Sequence, residues 1–122
     1  MKTEEAMLII CYPRCSTCKK AQVFLDEHKI SYTYRDIKEE NPTKEELTRL
    51  YEQSGLPIKR FFNTSGQLYR ALNIKDKLPT LSDDEALSLL STDGMFVKRP
   101  ILVTEDRVLV GFKRAEWEEA LL

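Results

Sequence analysis

Between residues 7 and 37 the hydrophobic period changes twice, and those changes limit the fold more than any other feature of the chain. "MLIICY" (7–12) is a continuous apolar run stopped by Pro13, the pattern of a buried strand. From Ser16 the apolar residues Ala21, Phe24 and Leu25 recur at helical spacing, with Lys19, Lys20, Asp26 and Glu27 on the other positions. That spacing predicts a helix over 15–28. "ISYTYRDI" (30–37) is β-rich and alternating, which predicts a second strand. A strand–helix–strand unit favours parallel strands joined by a right-handed crossover.

The rest of the chain is marked by its helix caps. "NPTKEELTRLYEQSG" carries a capping box, Thr43 with Glu46, and its helix should stop at Gly55 and Pro57. "IKRFFNTSGQLYRALNI" predicts two short helical pieces broken at 64–66. "LSDDEALSLLSTDG" has a second N-cap, Ser82 with Glu85, and its helix is expected to end at Gly94. Strands follow at 101–104 and 108–112 with a turn at Glu105 and Asp106, then a last amphipathic helix carrying Trp117, Leu121 and Leu122. The order is β-α-β, a block of about three helices, then β-β-α. With no Gly-, Ser- or Pro-rich linker and no repeat, it predicts one α/β domain over 1–122, the helices inserted at about 42–94. This is the element order of the thioredoxin fold, its third and fourth strands forming a hairpin.

Composition narrows function by exclusion. Nineteen basic residues stand against 20 acidic ones, so no global field argues for nucleic acid or a membrane surface. "MLIICY" is too short to span a bilayer, and the N-terminus does not resemble a signal peptide. Residues 1–6 are polar and charged, a loose lead-in. Three clustered cysteines differ from the distributed, even set of a secreted disulfide scaffold. They point to a reducing cytoplasm, where such cysteines do chemistry or bind metal.

All three lie in "CYPRCSTCKKA", spaced C-x3-C-x2-C. Cys15 falls at the strand-to-helix junction, where backbone N–H groups and the positive end of the helix dipole favour thiolate. Arg14, Lys19 and Lys20 add positive potential nearby. Cys18 shares its helical face one turn on, and an i,i+3 Cα separation of about 5 Å lies within the disulfide range of about 4.4–6.8 Å. Cys18 should be the deeper and less exposed of the two. Cys15 is therefore the expected attacking thiol and Cys18 the resolving one, against the alternative that both only pack. Cys11, inside the strand, is expected to be a small core residue, with a secondary redox or metal role as the alternative. Radical SAM enzymes use the same spacing for an iron–sulfur cluster, but on a flexible loop of a larger barrel domain. For zinc the fourth ligand would be His28, about 15 Å from Cys18 along the helix. His28 is instead expected at the surface or helix end.

A second group is "KRPI" (98–101). Pro100 opens a predicted strand, where it removes a ladder donor unless it serves a special turn. Thioredoxin-type domains place a cis-proline here beside the active cysteine. Arg99 would then project near Cys15, suited to pair with an oxyanion or steady a thiolate. The alternative is an edge-strand proline beside a solvated arginine.

"YPRCSTCKKA", "RPILV" and "VGFK", with the helical block between them, resemble the ArsC/Spx family of thioredoxin-fold proteins over nearly the whole chain. The resemblance implies a thiol–disulfide oxidoreductase, arsenate reductase-like, with Cys15 as nucleophile. In the glutaredoxin-linked arsenate reductases three arginines surround the oxyanion. Arg99 fills one place, whereas the other two hold Asn63 and Phe112, with Arg60 one turn before Asn63 as a substitute. Those departures argue against efficient arsenate reduction. Asn63, Arg60 and Pro100 are the expected substrate contacts, Pro100 orienting a bound partner's backbone. Cys15 and Cys18 reproduce the C-x-x-C switch of Spx-type regulators, which bind the RNA polymerase α subunit, but their basic C-terminal extension is absent from this sequence. "NTSG" and "GFK" are shared with a third, thiol-reductase-like branch, which matches best. No bound cofactor is implied, and glutathione (through a glutaredoxin system) or thioredoxin would be the electron donor. The partner would be a thiol or disulfide protein or a small oxyanion.

Overall fold

The computed structural model describes residues 7–122, so the lead-in expected at 1–6 lies outside the described residues. The chain divides into two compact units, one holding the segments up to Asp36 and Arg99–Leu122, the other Ile37–Lys98.

The first unit contains a four-stranded sheet ordered β2-β1-β3-β4. β1 (Leu8–Cys11) and β2 (Thr33–Asp36) run parallel, joined by α1 (Ser16–Glu27). β3 (Ile101–Val103) pairs antiparallel with β1 and with β4 (Val108–Val110), and α6 (Arg114–Leu121) closes the chain. The parallel pair and the hairpin are those expected from the period changes. Register places Ile9 opposite both Tyr34 and Leu102, so Ile9, Cys11 and Leu102 share one face. There they form a core with Ala21, Phe24 and Leu25 of α1 and with Trp117 of α6. Ile10 and Ile101, on the opposite face, are buried too, which is why the first strand shows no alternation.

Two expectations for this unit need correction. The second strand does not begin at Ile30: Lys29 takes φ 56°, and the Ile30 N–H donates to the Leu25 carbonyl at 2.9 Å. Residues 29–30 reverse the chain off α1 in the manner of a left-handed C-cap, and that local bonding overrides β propensity. At the other end the last helix stops at Leu121, so Leu122, expected on it, lies just past its end and is 68% exposed, while Trp117 is fully buried.

The second unit carries α2 (Lys44–Ser54), α3 (Gln67–Ala71), α4 (Ile74–Lys77) and α5 (Asp83–Leu90), with 3-10 turns at Ile58–Phe61, Leu78–Thr80 and Gly94–Phe96. The expected block of about three helices is thus four, because α3 and α4 are separate single-turn pieces. Both capping boxes form: the Thr43 hydroxyl accepts from the Glu46 N–H, and the Ser82 hydroxyl from the Glu85 N–H, each at 3.1 Å. Gly55 ends α2 at φ 69°, where a β-carbon would be strained.

α5 stops at Leu90, four residues before Gly94. Gly94 is no helix cap: a β-carbon there would collide with the Ile37 carbonyl oxygen. The site demands glycine because two backbone segments touch. Gly94→Ala is therefore expected to cost about 1–3 kcal/mol or more, as overpacking against backbone does. Urea unfolding checks this, and an unchanged midpoint would contradict it.

Candidate functional site

The turn before α1 builds the site. The Cys15 N–H donates to the Tyr12 carbonyl at 3.0 Å, closing a turn through Pro13 and Arg14. Cys15 then takes an extended conformation (φ −89°, ψ 118°) and serves as the N-cap of α1. Its Sγ accepts the Cys18 N–H at 3.4 Å, a cap position usually filled by Ser, Thr, Asp or Asn. A sulfur so placed faces unpaired helix N–H groups.

Cys18 lies one turn deeper. It is 1% exposed and belongs to the core cluster, whereas Cys15 is partly exposed. Its Sγ accepts the Tyr12 N–H at 3.4 Å. Cys11, fully buried at the end of β1, belongs to the same core cluster. The three cysteines are free thiols in one cluster. The acidity this creates is at Cys18, held down to about 6 by the Cys11 hydrogen bond, the Tyr12 N–H, the Cys15 contact and the Arg99 charge, against opposing burial. Cys11 moves the other way: its hydrogen bond to Cys18, and then burial, raise it well above the ordinary thiol range. Arg14, Lys19 and Lys20, expected to contribute positive potential, are exposed.

These opposite shifts give stability a defined pH dependence. For Cys18 the folded value lies below the unfolded one, about 8.5. Its contribution is full above about 8.5 and is lost as pH falls through about 6. For Cys11 the folded value lies above, so its contribution is lost as pH rises past about 8.5. Under reductant, stability is expected to rise between pH of about 6 and about 8.5 and to gain nothing from this pair beyond it. Denaturant titrations across that range check this; a flat or falling profile would contradict it.

Arg99 and Pro100 belong to the same unit as the cysteines. The Arg99 guanidinium lies 5.4 Å from the Tyr12 ring centroid, and its charge acts on Cys18. The Arg99–Pro100 peptide is cis, and the Pro100 carbonyl accepts the Gly111 N–H at 2.8 Å. Phe112 is a packing residue: its ring lies 4.9 Å from Trp117 and 5.8 Å from Phe24. His28 caps the C-terminal end of α1, with Nδ1 2.9 Å from the Phe24 carbonyl.

Asn63 and Arg60 belong to the second unit. The Asn63 N–H donates to the Phe96 carbonyl at 2.7 Å, and its Oδ1 accepts from the Ser65 hydroxyl at 3.3 Å, so its side chain organises its own loop. Arg60 lines a cavity of about 330 Å³ with Pro57, Lys59, Phe62, Thr64 and Lys98. Lys98 reaches that wall because its N–H donates to the Phe61 carbonyl at 2.8 Å beside the Phe62–Val97 bridge.

Tyr12 was missed in the sequence, although its N–H and ring both serve the cluster. The signal available was its position, directly after the first strand and before the turn. Among the described residues no group of three or more His, Cys, Asp or Glu side chains could hold a metal, and no helix is long and apolar enough to cross a membrane.

The chain is similar to known proteins over nearly its whole length. It is 52% identical to the uncharacterized protein YusI of Bacillus subtilis (strain 168) over 108 residues, covering 88% of this chain and 92% of that one. It is 30% identical to the global transcriptional regulator Spx of Staphylococcus saprophyticus over 105 residues, 85% of this chain and 78% of that one. Among solved structures, an ArsC family related protein from Bacteroides fragilis superposes with a TM-score of 0.92 at 52% identity, covering 95% and 98% of the two chains. A protein described as a possible arsenate reductase from Streptococcus mutans UA159 gives 0.88 at 44% identity, covering 96% and 99%. The family model that describes these thioredoxin-like chains matches residues 11–120, from the first cysteine to the last helix, and the chain belongs to the ArsC family.

Proposed function

We propose that this protein is a thiol–disulfide oxidoreductase in which Cys15 attacks and Cys18 resolves. The observation that carries the proposal is the pairing of a partly exposed Cys15 sulfur at a helix N-cap with a buried Cys18 one turn on, linked by the 3.4 Å N–H to Sγ contact. Cys15 thiolate attacks a disulfide and forms a mixed disulfide with one half of it. Cys18 thiolate then attacks the Cys15 sulfur, forms the Cys15–Cys18 disulfide and expels the second thiolate. Two electrons pass to the substrate, and thioredoxin or glutathione returns them.

In this account Arg99 steadies the sulfur anion and Pro100 orients the partner's backbone. Asn63 contacts substrate, and Arg60 contributes to anion binding. The cavity supports the last role, since it groups Arg60 with Lys59 and Lys98. With Asn63 and Phe112 at two arginine places, arsenate is not the expected substrate. Residues 1–122 act as one thioredoxin-like domain with a helical insertion at about 42–94, working in the cytoplasm without a bound cofactor.

A second proposal is a redox-switched regulator that binds the RNA polymerase α subunit without turnover, favoured by the likeness to the regulator Spx. Purified protein is assayed for disulfide reduction coupled to thioredoxin or glutathione, and for capture of the α subunit with and without oxidant. Steady turnover supports the oxidoreductase; redox-dependent capture with no turnover overturns it in favour of the regulator.

A further inference from the structure

We propose that Tyr12 is a positioning residue for thiol exchange: its ring holds the Arg99 guanidinium on the turn that carries Cys15 and Cys18, keeping that cation beside the resolving sulfur. This rests on Cys18 being the resolving thiol. Tyr12 meets each part of the site through a different group. Its N–H donates to the Cys18 Sγ at 3.4 Å, and its carbonyl accepts the Cys15 N–H at 3.0 Å. Its ring centroid lies 5.4 Å from the Arg99 guanidinium, within the roughly 6 Å at which an aromatic face attracts a cation. The two backbone bonds do not depend on residue type, whereas the ring contact does. A guanidinium is planar and sits on a long, flexible stem, so a flat aromatic partner restricts where its charge can go. Cys18 is 1% exposed, and a sulfur anion so placed depends on neighbouring donors and charge instead of water. The groups that act on it are the Tyr12 N–H, Cys11 at the end of β1, Cys15 at the N-cap, Tyr34 of β2 and the Arg99 cation.

The chemistry balances without a further reactant. Cys18 thiolate attacks Cys15 Sγ in Cys15–S–S–R, the S–S bond to R breaks, and RS⁻ leaves with the electron pair. Arg99 exchanges no proton or electron in this step. Its charge favours the anionic form of Cys18 from which attack begins, and the Tyr12 ring keeps the charge where it can do so.

The full chain, reduced, is mixed with one equivalent of 5,5′-dithiobis(2-nitrobenzoate). The first release of thionitrobenzoate reports attack by Cys15, and the second reports resolution by Cys18. The second rate is followed against pH in the parent, Tyr12→Phe, Tyr12→Leu, Arg99→Gln and the Tyr12→Leu, Arg99→Gln double variant, with circular dichroism confirming the fold. Tyr12→Thr replaces Tyr12→Leu should that variant not fold. Loss of the aromatic face is expected to move the acid limb of the second phase up by about half a pH unit, slowing it about threefold on the acid side. Tyr12→Phe, which keeps the ring, should match the parent. Once Arg99 is Gln, Tyr12→Leu should add no further shift, because the cation it would release is already gone. An unmoved limb in folded Tyr12→Leu, an equal shift in Tyr12→Phe, or the same shift with and without Arg99 overturns this proposal alone, provided the second phase is lost in Cys18→Ser. Persistence of that phase in Cys18→Ser overturns Cys18 as the resolving thiol and this proposal with it.

Discussion

Cys15→Ser is expected to lower disulfide turnover by on the order of a thousandfold or more, the scale on which loss of a covalent nucleophile is felt. Serine keeps the N-cap, since its hydroxyl can accept the Cys18 N–H as the sulfur does, so the loss would not come from α1 unravelling. Cys18→Ser should behave differently. Its attack phase survives because Cys15 is intact and partly exposed, but the mixed disulfide accumulates and multiple turnover falls. Added small thiol should restore part of that turnover by releasing the adduct from outside. Stopped-flow measurement of both phases in each variant checks this asymmetry. Equal loss of the first phase in both variants would contradict the assignment of roles.

Trp117→Ala is expected to remove about 3–5 kcal/mol of stability, a large share of the roughly 5–15 kcal/mol that holds a domain folded. Trp117 is fully buried, packs edge-on against Phe112 and Phe24 at 4.9 and 6.1 Å, and donates Nε1–H to the Gly111 carbonyl at 3.1 Å. Truncation would open a cavity and remove that carbonyl's indole partner. Gly111 cannot adjust freely, because it holds φ 77° at the end of the hairpin. Trp117→Phe should cost less, restoring volume but not the donor. Since Trp117 is the chain's single tryptophan, unfolding of the variants is followed by circular dichroism. A loss below about 1 kcal/mol in Trp117→Ala would show that the site collapses around the smaller side chain.

What could be seen in advance was local. Thr43 with Glu46 and Ser82 with Glu85 announce their helices because each capping box closes within four residues. The change of period around Pro13 to Ser16 is equally local, and it places Cys15 at a helix start and Cys18 inside. The misjudged positions depend on contacts between distant segments. Gly94 resembles a helix stop in the sequence, yet it is needed for the approach of the Ile37 carbonyl. Ile30 has strand character but is taken by the turn that ends α1. Cys11 belongs to the core as expected, and its place in one cluster with Cys18 requires the strand end and the helix's first turn to lie side by side. The Tyr12 ring beneath the Arg99 guanidinium, and the effect of that charge on Cys18, follow from the turn between β1 and α1, which spacing alone does not show.

The division of labour between Cys15 and Cys18 is tested most directly by peptide mass spectrometry after limited reaction with glutathione disulfide. The parent should yield a Cys15–Cys18 disulfide, and Cys18→Ser a stable glutathione adduct on Cys15. In Cys15→Ser, Cys18 should stay largely unmodified over the same interval, since it is 1% exposed. A glutathione adduct forming on Cys18 as fast as on Cys15, or a parent disulfide that joins Cys11 and leaves Cys15 reduced, would contradict the account.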